Sequence, residues 1–167
     1  MKQPALVIIK PEGIARGLVG NILNKFAQAE LEIIALKVAE AHRRLVEEHY
    51  QHLKRQPFFE SVVDHLMGKI HKQKKIILIV YYGKDAIRRC RTIAGATNPE
   101  EADPRSIRGA YGRVTTKGLY ENLVHVSSDQ KETKREIKLW LKPDDILKEL
   151  YPSKTTLKQS SKQKEWV

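Results

Sequence analysis

The amino-acid sequence predicts an α+β layer fold, a small sheet with helices packed on it. Three observations predict it. Four short apolar runs rich in β-branched residues, at 5–9, 32–38, 76–82 and 122–127, have the length and composition of strands. Between them lie stretches whose apolar residues recur at helical spacing. Proline and glycine sit at several of the junctions, where a chain changes direction.

The run Ala5-Leu6-Val7-Ile8-Ile9 reads as a buried strand, closed by Lys10-Pro11 and the turn-forming Glu12-Gly13. Leu18, Ile22 and Phe26 fall four apart with Val19 and Leu23 beside them, one stripe of a helix. A second strand covers 32–38. Leu45, His49 and Leu53 predict a helix after Ala41, and Pro57 is placed to open another whose inner face carries Val62, Val63, Leu66 and Met67. The third strand covers 76–82, and Ala86, Ile87, Cys90, Ile93 and Ala94 mark the next helix. Residues 98–113 contain two prolines and two glycines and no period, so they read as a long loop, and long loops in compact domains are often functional. The fourth strand covers 122–127. Regular alternation would put Leu123 with His125 on one face and Asn122 with Val124 on the other. Asp129 followed by Glu132 resembles a capping box and starts a helix to about Leu141, stopped by Lys142-Pro143. The expected organisation is one domain, 1–152, and a polar tail, 153–167, which is lysine-rich and lacks an apolar period.

Lys and Arg number 31 against 20 Asp and Glu, a net charge of +11. That excess raises the local concentration of polyanions without choosing among nucleotides, nucleic acid and membranes. One cysteine, Cys90, excludes an intramolecular disulfide and a thiolate zinc cluster. No apolar run has the length of a signal peptide core or a membrane span, and the expected compartment is the cytoplasm.

Six histidines are present. His42, His49, His52, His65 and His71 lie among charged residues and read as surface or partly packed imidazoles. His125 differs, because a strand holds and aims it. Glu136, on the following helix, is placed to pack back on that strand, where a carboxylate can set the tautomer of an imidazole and stabilise its charged form. An imidazole with an ordinary pKa of about 6.5 is largely neutral and nucleophilic near pH 7. Arg91, Thr97 and Arg108 bracket the irregular loop, and Arg offers a fork of donors matched to phosphate oxygens. Lys10 ends the first strand. The sequence contains neither GxxxxGK[ST] nor GxGxxG, which argues against a P-loop or Rossmann nucleotide site.

Five blocks resemble, in order, those of the nucleoside diphosphate kinase family. IIKPEGIARGLVGNIL is similar to its IKPDGVxRGLxGxI, HYQHLKRQPFF to HYxxLKxxPFF, and GATNPEEADPRSIRG to GxTNPxxAxPGTIRG. NLVHVSSD is similar to N-x-x-H-G-S-D and EIKLWLKP to EIxLWF. The resemblance implies a ferredoxin-like fold with a four-stranded antiparallel sheet. It implies ping-pong transfer of the terminal phosphoryl group of ATP to nucleoside diphosphates through a phosphohistidine on His125. Glu136 would support that histidine, with Ser127 and Tyr50 beside it. Lys10 would reach the terminal phosphate, Arg91, Thr97 and Arg108 the distal phosphates, and Asn122 the sugar. Phe58 and Val62 would stack on the base, with Leu119 on its other face. Mg2+ is the implied cofactor, held mainly by the nucleotide's own phosphates, and a homo-hexamer or homo-tetramer the implied assembly. Nucleic-acid binding is permitted by the charge but not required, and no membrane partner is expected.

The sequence departs from the family pattern in places. Val126 replaces a glycine, Ser128 stands where an Asp follows the serine, with Asp129 one place later, and Ala110 replaces the Asp of R-G-D. About five extra residues lie within 68–75 and about four within 111–121. The ending Glu165-Trp166-Val167 resembles the family's D-W-V. The rival readings are a nucleotide- or nucleic-acid-binding module without turnover and an oligomeric structural protein.

Overall fold

The computed structural model describes residues 1–155. Most of the tail, including Trp166 and Val167, lies outside the described residues. In chain order the elements are β1 (Lys2–Ile9), α1 (Pro11–Ala15), α2 (Val19–Ala27), β2 (Glu32–Glu40), α3 (Arg43–His49) and α4 (Phe59–Leu66). Then follow β3 (Lys75–Lys84), α5 (Ala86–Ala94), α6 (Ile107–Tyr111), β4 (Arg113–Val114), β5 (Tyr120–Glu121), β6 (Val124–Val126) and α7 (Gln130–Trp140).

Four strands form one antiparallel sheet in the order β2-β3-β1-β6, the ferredoxin-like arrangement. β1 is central, and residues 5–9 are wholly buried on both faces, which is why that stretch is apolar without alternation. Ala5, Val7 and Ile9 join Ile22 and Phe26 of α2 and Ala86, Ile87 and Cys90 of α5 in one core. Leu6 and Ile8 face a second core with Val46 of α3, Val63 and Leu66 of α4, and Ile137 and Trp140 of α7. Helices therefore cover both faces of the sheet.

Several sequence expectations are corrected. Pro57 does not open α4; it lies in the turn before it, and Phe58 is the N-cap. Leu53 lies beyond α3, in a 3-10 turn at Gln51–Leu53. Residues 98–113 are not all loop: they hold a 3-10 turn, Pro99–Glu101, and α6. A single helical turn with one buried residue, Ile107, has no period to read. Only the forward half of the capping box at Asp129 forms: its carboxylate accepts from the Glu132 N–H at 2.8 Å, while the Glu132 carboxylate holds Arg135. In the lengthened stretch 111–121, β4 and β5 make a small hairpin.

The largest correction concerns β6, which is only three residues long. Leu123 has φ 67°, a left-handed conformation that breaks the alternation, and its side chain enters the α2/α5 core instead of joining His125. The Glu12 carboxylate accepts the Leu123 N–H at 3.0 Å and the Lys10 N–H donates to the Leu123 carbonyl at 2.8 Å, so the kink is held from both sides. Val124 and Val126 pair with Ile9 and Val7 and share their core. His125, opposite Ile8, points the other way, towards α3 and α7.

Candidate functional site

On that face a cleft of about 960 Å3 opens between α4, the hairpin and β6. His125 lies on its floor with 18 % of its side chain exposed. The ring Nε2 lies 2.9 Å from Glu136 Oε1, and Ser127 Oγ donates to Glu136 Oε2 at 2.5 Å. Burial alone would raise the Glu136 carboxyl, but the bond and charge of His125, the Ser127 hydroxyl and Arg135 outweigh it and hold it below its ordinary value. A carboxylate only accepts, so Nε2 carries the proton, and in the neutral form of the ring Nδ1 keeps its lone pair.

Behind His125 stands His49, fully buried, its ring 4.4 Å away and edge-on. Trp140 Nε1 donates to His49 Nδ1 at 3.2 Å. The 3.8 Å approach of that Nδ1 to Glu136 is therefore not an ion pair: an unprotonated nitrogen faces the carboxylate. Burial, then the neighbouring His125, Arg135 and Lys10 charges, push the His49 pKa well below its usual value. His49 is a neutral wall that fixes the His125 ring. Arg135 ties α7 to the end of α3 through the Glu48 and His49 carbonyls, at 2.8 and 2.9 Å.

The cleft's rim is cationic. Lys10 Nζ donates to Asn122 Oδ1 at 2.6 Å, and Asn122 Nδ2 donates to the Thr97 carbonyl at 2.9 Å. Burial brings Lys10 down to about 8, against support from Glu12. Arg108 donates to the Gly95 and Val124 carbonyls, both at 2.8 Å, while its buried Nε has no partner among the described residues. Burial and the nearby Arg91 lower the Arg108 guanidinium to about 10. Tyr50 is buried in the same wall, and burial pushes its phenol up. Phe58, 49 % exposed, and Val62 form one lip of the cleft, and Leu119 on the hairpin turn lines the cleft as well.

The residues singled out by sequence thus meet at one place. Lys10, Tyr50, Phe58, Val62, Arg91, Thr97, Arg108, Leu119, Asn122, His125 and Glu136 all line the cleft, and Ser127 reaches it through Glu136. Asn122 shares the cleft with His125 although alternation would separate them, because the Leu123 kink intervenes. Sequence reading missed His49, Arg135 and Trp140. Only the position of His49 within HYQHLK signalled it. His65 and His71 are also not plain surface groups: each lies against a buried carboxylate.

The family model described as nucleoside diphosphate kinase matches residues 3–146. The chain belongs to the nucleoside diphosphate kinase family. A nucleoside diphosphate kinase of Pyrococcus furiosus is 38 % identical over 141 residues, 84 % of each chain. Among solved structures, the Halobacterium salinarum nucleoside diphosphate kinase in complex with CDP superposes with a TM-score of 0.79 at 31 % identity, covering 89 % of this chain and 93 % of that one. A transition-state mimic of the Borrelia burgdorferi enzyme with vanadate and ADP gives a TM-score of 0.78 at 27 % identity, covering 89 % and 92 %. Among the described residues no helix is long and apolar enough to cross a membrane.

Proposed function

We propose that this chain transfers the terminal phosphoryl group of ATP to nucleoside diphosphates by a ping-pong route through His125. The observation that carries the reading is the Glu136–His125 pair, in which Glu136 takes up Nε2 and leaves Nδ1 for substrate, in a cleft that Lys10, Arg91 and Arg108 also line. Nδ1 attacks the γ-phosphorus in line. The P–N bond forms as the bond to the β-phosphate oxygen breaks, and the nucleoside diphosphate leaves with that electron pair. The imidazolium so formed keeps its proton on Nε2, donated in a hydrogen bond to the Glu136 carboxylate. A terminal phosphate oxygen of a second nucleoside diphosphate then attacks the phosphorus, and the P–N bond breaks with its electron pair returning to Nδ1. Lys10, Arg91 and Arg108 meet charge on the transferred group, Thr97 and Asn122 position phosphate and sugar, and Tyr50 and Ser127 steady the histidine and its carboxylate. Phe58 and Val62 offer one stacking surface for the base and Leu119 the other. Such positioning supplies on the order of 7–11 kcal/mol of a barrier of this kind, and the loose transition state is met electrostatically.

Among the described residues the carboxylates lining the cleft already have partners, Glu136 holding His125 and Ser127 and Glu132 holding Arg135, while Asp129 caps α7 and bonds Ser128. The residues therefore fit a Mg2+ carried by the nucleotide's phosphates. Bound there, the ion would spread the negative charge of the transferred group.

The domain is proposed to end at 152, because Leu150 and Tyr151 still pack on the α7 side of the core. A homo-oligomer in the cytoplasm completes the reading. β2 is a sheet edge, and the bulge between Ile33 and Ala35 shifts the alternation so that Ile33 joins Leu36 and Val38, all three exposed. An apolar edge of that kind favours association with another copy. Incubation with ATP and Mg2+ should place one acid-labile phosphoryl group on each chain, found on His125 by mass spectrometry. Turnover without that adduct would overturn the mechanism.

A further inference from the structure

A second cluster of histidines and carboxylates lies beneath the base end of the cleft, where the mechanism does not use it. Glu12 is fully buried, His65 4 % exposed, and the His71 side chain 13 % exposed. Their ligand-capable atoms lie within 4.8 Å of one another. His65 Nε2 comes to 3.1 Å from Glu12 Oε2, and yet Glu12 Oε2, His65 Nε2 and His71 Nε2 all lack a hydrogen-bond partner among the described residues. His65 and Glu12 are within ion-pair reach of one another, but none of the three atoms completes a well-aligned hydrogen bond, and a buried polar atom short of one is costly. The rest of Glu12 is fixed, because its Oε1 accepts the Leu123 N–H. Glu121, also buried, brings Oε1 to 3.4 Å from His71 Nε2 while Arg113 holds its Oε2. His71 lies in one segment lengthened relative to the family pattern and Glu121 in the other, so the two insertions meet here.

We propose that Glu12, His65 and His71 bind a divalent transition-metal ion of the Zn2+ class, with Glu121 beside the fourth position. Two imidazoles and a carboxylate are the donor set such ions take, at about 2.0–2.2 Å from each ligand. Tetrahedral coordination at that distance separates neighbouring ligand atoms by about 3.4 Å; the Glu12–His65 approach is 3.1 Å, and all three ligand atoms lie within 4.8 Å of one another. Mg2+ prefers an all-oxygen shell, so the nucleotide's ion does not compete for this one. The ion would tie α1, the end of α4 and the 68–74 connection together, with the hairpin close by. Its role is to brace the cleft wall that holds Val62 and His65, away from phosphoryl transfer.

The test uses the full-length protein, stripped with a chelator and dialysed against Zn2+. Wild type and His125→Ala should each retain one tightly bound equivalent here. His71→Ala should lose it, with affinity falling by more than the about 10–100-fold typical of losing an outer-sphere partner. His71 is outside the cleft, so phosphotransfer activity of His71→Ala should stay near that of wild type. A hundredfold excess of Zn2+ over Kd should raise the melting midpoint of wild type by about 5–10 °C and leave His71→Ala unmoved. Absence of a tight equivalent, its retention in His71→Ala, or its loss in His125→Ala overturns the proposal; the last would put the ion on His49, His125 and Glu136, which also converge. Should His71→Ala melt early without metal, Co2+ on wild type decides: intense visible bands of a four-coordinate ion support the site, and weak octahedral bands sink it.

Discussion

The floor and the walls of the cleft are built differently. The floor is regular structure: His125 on a strand paired to the central β1, Glu136 on the longest helix, and His49, Trp140 and Arg135 locking them together. The walls are turns and short elements: the Leu123 kink, the one-turn α6, the β4–β5 hairpin and the exposed Phe58. The contrast separates two tasks. A nucleophile must be held within a fraction of an ångström, and rigid elements do that. On the proposed function, phosphates and a base would be gripped by donors and surfaces that tolerate adjustment, and loops supply those.

The largest loss is expected at the floor. His125→Ala should abolish phosphoenzyme formation and turnover while leaving nucleoside diphosphate binding measurable by calorimetry; residual turnover near wild type would move the chemistry elsewhere. At the wall, Lys10→Ala and Arg108→Ala should each lower kcat by about 10²–10³, the about 2.7–4 kcal/mol usual for one donor to developing charge. Stopped-flow turnover measures this, and a normal kcat would take that residue out of the phosphate's path. Arg135→Ala touches no substrate but frees α3 from α7. It should lower kcat more than it raises KM, by about tenfold, and an unchanged kcat would show that α3 needs no tether.

The pH profile sharpens the same contrast. Burial places Lys10 at about 8, below its ordinary 10.5. In the free protein its charge is complete below pH 8 and is lost as pH rises through 8, so kcat/KM should fall on the alkaline side from there. The stability sign is opposite: holding the charged amine in the fold is a cost below pH 8, relieved as pH rises towards 10.5. A kcat/KM profile flat to pH 10 would remove Lys10 from the phosphate's path. The smallest effect is expected at the tail. Truncation after Tyr151 should leave the fold and His125 chemistry unchanged and weaken self-association modestly, as read by sedimentation across a dilution series. Identical assembly would make residues 152–167 a passive appendage.

Much of the site is legible in the amino-acid sequence, and the reason is physical. Strand and helix periods come from local sterics and burial, so the strands at 5–9, 32–38 and 76–82 and the helices at 19–27 and 86–94 can be read from spacing alone. The chemistry-bearing types, one strand-borne histidine with a carboxylate eleven residues on and a spaced set of cations, are visible for the same reason. Only tertiary structure decided how they meet. Leu123 turns left-handed because Glu12, 111 residues away, holds its N–H, and that turn brings Asn122 round to Lys10 on the His125 side. His49 and His65 look like surface groups among their charged neighbours in the chain, and burial is a property of what packs over them. The meeting of Glu12, His65 and His71 depends on three segments whose separation in sequence carries no signal, since no local rule couples a turn after β1 to the end of α4 and the connection beyond it.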